Sequence, residues 1–407
     1  MKSLKSKGLI YLAIILFPIQ VLHIPIRTTT IDFTSIILLF TFIVLILNSD
    51  FKKNRELLIF FSFFSLVQLI FFFFSPAPFF RFLSSFTWIS LFIFFIFNKE
   101  IFFFDYKVAE KLIKITLSIA IIISWFQYFF IIGPGEYNLG VKLRAQGLFL
   151  EPSYAGLAYY SASAAYLGLY FIGKKNYKNI LYSLIFFITG FLTLSMHIVT
   201  FFIVISIIYF LLIIKYLSLK KIKLSLVILT ITFFLIYILF NYFSFSFLDI
   251  FINHFYKRIN FVNIDTSSLS LLAWLQGFDQ MSHSLKSNFI LGMGLGSTGE
   301  FYFPSTYKDI LANLNAYGLT MKDSFSLFFR LIIEIGVVLT LCFLLYCVNK
   351  TLHFINNIGN QSYQKYIFCF IFSMSLIVGS LIKEPNFARS TLVLGIMLFA
   401  NVPNKSS

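Results

Sequence analysis

Two short strings near the middle of the chain, Arg144-Ala-Gln-Gly147 and Glu151-Pro-Ser153, lie within RAQGLFLEPSYAG. Together they combine a strong cation, a carboxylate and a helix-start signal. Arginine presents a planar fork of donors that matches a phosphate or carboxylate. Pro152 suits the first position of a helix, with Glu151 just before it in the capping place. A helix starting there turns its positive end toward the loop, and such ends attract phosphates. These residues fit a site for an anionic, phosphate-bearing substrate, with Gly147 and Ser153 assigned to binding it. Glu151 can orient Arg144, contact a sugar hydroxyl or act as a base. The helix end and the arginine both lower a carboxyl pKa, which weakens the last role. A loop held by an Arg144–Glu151 ion pair explains the same spacing equally well.

A second group follows Lys322-Asp323-Ser324, where Asp323 or Ser324 is a plausible N-cap and Lys322 and Asp323 are further candidates for substrate binding. Arg330 and Glu334 are four residues apart and share a helix face, roughly 10 to 16 Å below that start at 1.5 Å per residue. Ionisable groups inside an apolar helix are costly and face a bundle interior or a wet cavity. A mutually neutralised structural pair is the competing reading. Lys383-Glu384-Pro385-Asn386 and Arg389 either complete a ring of cations or form a tight turn. His197, His254 and His283 are candidates for a general base, although most lone histidines serve structure. The string Gly292-Met-Gly294-Leu-Gly296 lacks the Lys-Ser/Thr of a phosphate-binding loop, and no strand precedes it. Its glycines instead permit a tight bend. There is no HExxH and no Cys/His cluster, so neither a metal nor another cofactor is called for. Cys342, Cys347 and Cys369 fall in apolar runs without metal-motif spacing and read as buried small hydrophobes.

The elements that must position these residues are apolar helices. Of the 407 residues, 59% are hydrophobic and 12% charged, against about 25% charged in a soluble domain. A membrane-crossing helix needs ~20 mostly apolar residues. Twelve apolar runs meet or approach that requirement, near 8–24, 31–48, 57–75, 79–97, 112–132, 153–172, 180–195, 197–214, 224–243, 325–348, 366–382 and 387–401. The expected fold is an all-α, polytopic membrane protein forming a single transmembrane domain over 1–407. A first functional loop spans 133–152, and a long loop with short helices of its own spans 244–324. Runs seven and eight are nearly fused, and Ser195-Met196-His197 is their expected break. Within the long loop, Ser267–Leu285 has near-helical apolar spacing, as expected of a helix lying along a membrane surface. The 58 phenylalanines read as lipid-facing bulk.

The net charge of +16 does not indicate nucleic acid, because its distribution follows the runs. Twenty of the 32 basic residues fall in alternate loops and at both termini. The positive-inside rule makes that side cytoplasmic, termini included. The other twelve, six of them arginines, belong to the outer side. An arginine there works against the insertion rule and so becomes a functional candidate. Nucleotides are scarce outside, which argues against a nucleotide partner. The amino-terminal lysines and apolar stretch resemble a signal peptide without a cleavage site, and read as an uncleaved first helix.

The order of these pieces resembles the superfamily of bacterial O-antigen polymerases and O-antigen ligases. The pieces are R-x-x-G-x-x-x-E-P-S before a helix, the hairpin LTLSMH, a long loop with a Trp274 helix followed by ILGMGLG, and DSFSLFFRLIIEIG. The resemblance covers roughly residues 110 to 400. It implies a metal-independent membrane glycosyltransferase at the outer face of the bacterial cytoplasmic membrane. Its implied partners are an undecaprenyl-diphosphate-linked oligosaccharide, membrane lipid and a chain-length regulator, and its implied product is an O-antigen of lipopolysaccharide or a capsule. Arg144 and Arg330, or Arg389, would neutralise the departing diphosphate, and a carboxylate or histidine would take the acceptor proton. Two departures stand out. The hairpin reads Ser195-Met196-His197 where many members carry an arginine. Lys322-Asp323-Ser324 lacks the histidine of the ligase branch, which favours a polymerase. A flippase or other transporter is the rival from another class, but transporters show paired halves and broken helices, and the sequence displays neither.

Overall fold

The structure, a computed structural model, describes residues 2–20, 23–26, 29–48, 55–74, 77–97, 105–132, 145–149, 151–172, 176–193, 195, 197–216, 269–287, 290–298, 307–313, 326–383 and 387–402. In chain order the elements are α1 (Lys2–Leu16), β1 (His23–Ile26), β2 (Thr29–Asp32), α2 (Phe33–Asn48), α3 (Arg55–Phe74), α4 (Phe79–Phe97), α5 (Tyr106–Phe126, continued by a π-helical turn to Ile132), α6 (Pro152–Ile172), α7 (Tyr177–Leu192) and α8 (Ile198–Tyr216). There follow α9 (Leu269–Ser287), α10 (Lys308–Asn313), α11 (Leu327–Asn357), α12 (Gln361–Gln364), α13 (Ile367–Lys383) and α14 (Ser390–Asn401).

Ten of the twelve apolar runs coincide with helices, the first is helical only as far as Leu16, and the ninth, 224–243, lies outside the described residues. An apolar segment that leaves water must satisfy its own amides, and the helix does so within one segment. Among the described residues, four helical stretches are long and apolar enough to cross a membrane: Leu57–Phe74, Phe79–Phe97, Tyr106–Phe130 and Leu327–Asn357. Shorter apolar helices pack beside them. Large side chains such as Phe63, Phe73, Phe74, Ile122, Phe130 and Leu345 stand exposed on the helix surfaces. So many exposed large apolar side chains suit a membrane protein.

Among the described residues the fold is all-helical apart from one short antiparallel hairpin after Leu16, which pairs His23 with Asp32 and Ile26 with Thr29. Two expectations need correction. The phenylalanines are not only lipid-facing: Phe149, Phe354, Phe368, Phe370 and Phe372 are fully buried, and Phe354 stacks on Phe370 at 4.0 Å. Cys369 is buried as expected, but Cys342 is exposed.

Helix α6 is the centre of the bundle and is buried along most of its length. Its small residues allow close neighbours, as in other membrane bundles. Ser163 and Ser183 of α7 each donate to the other's carbonyl at 2.9 Å. Helices α7, α8 and α13 surround α6, α14 lies against α13, α4 and α2, and α1 lies against α2 and α5. Asp105 caps α5 and Asn176 caps α7 through side-chain bonds to the amides of Lys107 and Lys178.

The alternation of helices sorts the ends. The starts of α5 and α7 and the finishes of α11 and α14 gather the lysines. Lys114 sits over the Tyr182 ring at 3.5 Å, Lys350 donates to the Ala400 carbonyl at 2.6 Å, and Tyr106 packs on Tyr366 beside Lys365. The opposite end holds the starts of α4, α6, α8, α11 and α14 and the finishes of α5, α7 and α13.

Candidate functional site

At that opposite end, the start of α6 is built as its sequence implies. Pro152 is the first helical residue, and the Glu151 carbonyl accepts the amides of Tyr154 (3.1 Å) and Ala155 (3.3 Å). The Glu151 side chain is exposed, and Ser153 donates its hydroxyl to Glu151 Oε2 at 3.1 Å. Just before it, Gly147 has φ +61°, and an added β-carbon would lie 2.6 Å from Ser124 Oγ and 3.0 Å from the Ala120 carbonyl. The need for glycine at 147 therefore comes from close packing on α5. Gln127, in the π-helical turn, accepts the amides of Gln146 (3.2 Å) and Gly147 (2.9 Å) and donates to the Gly147 carbonyl at 3.2 Å. The amide of Ala145 reaches the Leu192 carbonyl at 3.3 Å. Arg144 lies outside the described residues, but the chain immediately after it is pinned to α5 and to the finish of α7.

The turn from Thr193 to His197 separates α7 from α8, where the break was expected. It packs on the start of α6: a β-carbon at Gly156 would collide with Ser195 Cβ and lie 2.7 Å from Thr193 Oγ1. His197 is buried, with Nδ1 3.4 Å from Thr200 Oγ1, and an added β-carbon on Gly379 of α13 would lie 3.3 Å from that nitrogen. Burial, then the charge of Lys383 at the finish of α13, hold His197 well below the usual histidine range. It is therefore neutral near pH 7, as a base must be before it accepts a proton. It is also 2% exposed, with α6 and α13 packed against the turn that carries it.

Helix α11 begins at Leu327, later than expected, with Ser326 at the N-cap position and its hydroxyl donating to the Leu381 carbonyl at 2.6 Å. Arg330 thus lies in the first turn rather than deep within the helix. Lys322, Asp323 and Ser324 are outside the described residues. Arg330 is 6% exposed and held on three sides. Its Nε donates to Glu334 Oε1 at 2.9 Å, a second guanidinium nitrogen donates to Ser85 Oγ at 3.1 Å, and the plane lies 4.4 Å from the centre of the Phe387 ring. Glu334 is fully buried, and its Oε2 has no hydrogen-bond partner among the described residues.

The segment after α13 ties the two halves together. Phe387 covers Arg330, the Ala388 carbonyl accepts from Ser35 at 2.5 Å, and Ser390 accepts from Gln20 at 2.9 Å. The Arg389 guanidinium rests 4.8 Å above the ring of Tyr154, in the first turn of α6. Arg389 and Lys383 are both half-buried. The structure therefore brings Glu151, Ser153, Tyr154, His197, Arg330, Glu334, Lys383 and Arg389 to one end of the bundle. Sequence reasoning missed Ser85, Gln127, Tyr154 and Phe387. Gln127 and Ser85 carry a faint signal, since each is a polar side chain in an otherwise apolar run.

Comparison of the chain with models of known protein families finds no match, and comparison with curated proteins finds none.

Proposed function

We propose that this chain is a membrane glycosyltransferase that joins oligosaccharide repeat units carried on undecaprenyl diphosphate, at the outer face of the bacterial cytoplasmic membrane. The observation that carries the reading is the gathering of Arg330, Lys383 and Arg389 at the end of the bundle where α6 starts, with Arg389 over Tyr154 in the first turn of α6. An amphipathic donor of this kind has a lipid tail, a diphosphate and a sugar chain. Cations and a helix N-terminus stabilise the diphosphate as it departs. In this reading Arg389 and Lys383, with Arg144, face the diphosphate, and Arg330 and Glu334 hold the wall behind them. Glu151 organises the acceptor side, where its carboxylate is exposed. Twelve membrane crossings, both termini in the cytoplasm and a chain-length regulator as partner belong to the same proposal, as does the choice of O-antigen or capsule as product.

One observation favours the transporter reading. Helix α11 is interrupted at Gly336, and broken helices mark binding sites in transporters. Against it, two of the backbone carbonyls beside the interruption already accept hydrogen bonds from residues 293 and 294, which leaves less for an ion or substrate there. A ligase remains the same chemistry with another acceptor.

The test is deletion of the gene in its own host, complemented with wild type or with Arg389→Ala at matched expression. A polymerase leaves single repeats on the surface after deletion, and Arg389→Ala shortens the chain ladder sharply. Long lipid-linked chains left in the membrane point to a ligase, and repeats trapped inside point to a flippase. A full-length ladder with Arg389→Ala removes the assigned site.

A further inference from the structure

The glycine string Gly292-Met-Gly294-Leu-Gly296 has no part in the function proposed above, yet it meets α11 backbone to backbone. Gly336 has φ +80° and ψ 173° within α11, a combination open essentially to glycine alone. In an unbroken helix the carbonyls of Ile333 and Glu334 accept the amides of residues 337 and 338. Here they accept Met293 N–H at 2.7 Å and Gly294 N–H at 3.1 Å. The approach leaves no room for side chains. A β-carbon on Gly292 would lie 2.5 Å from the Gly336 nitrogen and 2.8 Å from the Ile333 carbonyl, and one on Gly336 would collide with the Ile290 carbonyl. On its far side the turn is wedged against α4, where a β-carbon on Gly296 would lie 2.7 Å from the Phe82 nitrogen. It also bonds to α3, through the Leu295 amide and Gln68 Oε1 at 3.3 Å.

The nine residues of α11 before the break are packed on α9 through Trp274, Phe278 and Met281, which meet Phe329, Ile332 and Ile333. They also carry Arg330 and Glu334. The direction of this half-helix, and hence the position of the buried ion pair against Ser85 and Phe387, depends on the break. A polar backbone at such a depth is tolerated only where protein satisfies it, and the glycine turn supplies two of those bonds.

We infer that Gly336 and the Gly292–Gly296 turn form one backbone latch that sets the position of Arg330 and Glu334, making Gly292, Gly294 and Gly336 positioning residues of the candidate site. Their link to sugar transfer rests on the function proposed above. The latch itself does not, because it is a feature of the fold.

The test uses the full chain in lipid nanodiscs and in the complemented host. Amide hydrogen exchange at Met293 and Gly294 and across 327–335 is compared between wild type, Gly336→Ala and Leu291→Ala. Gly336→Ala is expected to accelerate exchange in both segments by about tenfold or more, whereas Leu291→Ala, which trims an exposed side chain of the turn and keeps both backbone bonds, behaves as wild type. Unchanged exchange in Gly336→Ala overturns the latch. If Gly336→Ala does not fold, Ser297→Ala takes its place, since it removes only the hydroxyl that donates to the Gly294 carbonyl at 2.6 Å. It should give a smaller acceleration confined to the turn, and no acceleration overturns the latch. In cells, Gly336→Ala and Arg330→Lys should each shorten the ladder, and the double variant should be no shorter than the worse single one, because both act through one position. Additive shortening overturns the positioning role. A full-length ladder in Arg330→Lys and Arg330→Ala, with accelerated exchange in Gly336→Ala, supports the latch while overturning the part assigned to Arg330 in transfer.

Discussion

The ion pair Arg330–Glu334 shows how far a single residue's surroundings decide its role. Spacing of four residues puts both groups on one helix face, and the structure joins them at 2.9 Å. Spacing cannot show that Ser85, 245 positions away, takes another guanidinium bond, or that Phe387 covers the plane. Those contacts come from α4 and from the segment before α14. They turn Arg330 from an expected diphosphate ligand into a buried cation held by Glu334, Ser85 and Phe387. Removing one partner of such a pair leaves an uncompensated charge in a dry interior. Glu334→Leu or Arg330→Met alone should therefore cost about 3–5 kcal/mol of stability, while the double apolar replacement recovers most of that loss. Thermal unfolding in detergent measures this, and a double variant as unstable as the two losses summed counts against a buried pair. Arg389 differs, since it is half-buried over the ring of Tyr154. It is the better candidate to meet a ligand.

At the scale of elements, α6 and α11 carry opposite lessons about glycine. Gly168 of α6 faces Ile371, and an added β-carbon there meets only the terminal methyl of a side chain that can rotate. Gly147 has a positive φ and faces the Ala120 carbonyl, which cannot move alone. Gly147→Ala should cost about 1–3 kcal/mol and loosen the turn bonded to Gln127, whereas Gly168→Ala should lie within about 1 kcal/mol of wild type, because a helix-propensity gain of about 1 kcal/mol offsets much of the overpacking cost of about 1–3 kcal/mol. Melting temperatures of the two variants decide it, and an equal loss in both would refute the distinction. The breaks in α7–α8 and α11 contrast in legibility. The first was visible because about 35 apolar residues exceed one crossing and the polar residues Ser195 and His197 interrupt them. The second was not, because a lone glycine in Glu-Ile-Gly-Val-Val reads as the interior of a helix. Its partner lies in a loop more than forty residues earlier in sequence.

For the whole molecule, the described residues place the starts of α5 and α7, with Lys114 over Tyr182 and Lys178 beside them, at the end opposite the start of α6. The proposed orientation makes a direct prediction. In a chain with Cys342, Cys347 and Cys369 replaced by serine, a membrane-impermeant maleimide added to spheroplasts should label Glu151→Cys. It should label Lys178→Cys only after permeabilisation. Both positions are exposed and belong to opposite ends of the bundle. Labelling of both from the same side would overturn the topology.

The sequence by itself determined the membrane class, the places of the apolar helices, the alternation of lysine-rich loops and the start of α6 at Pro152. These follow from local properties, namely run length, charge and the fixed φ of proline. Tertiary structure alone decided which polar groups meet: Arg330 with Ser85 and Phe387, Arg389 with Tyr154, His197 with α13, and the glycine turn with the break in α11. Each of those contacts joins segments far apart in sequence. An apolar helix face does not announce its neighbour, because lipid and another helix satisfy it almost equally well.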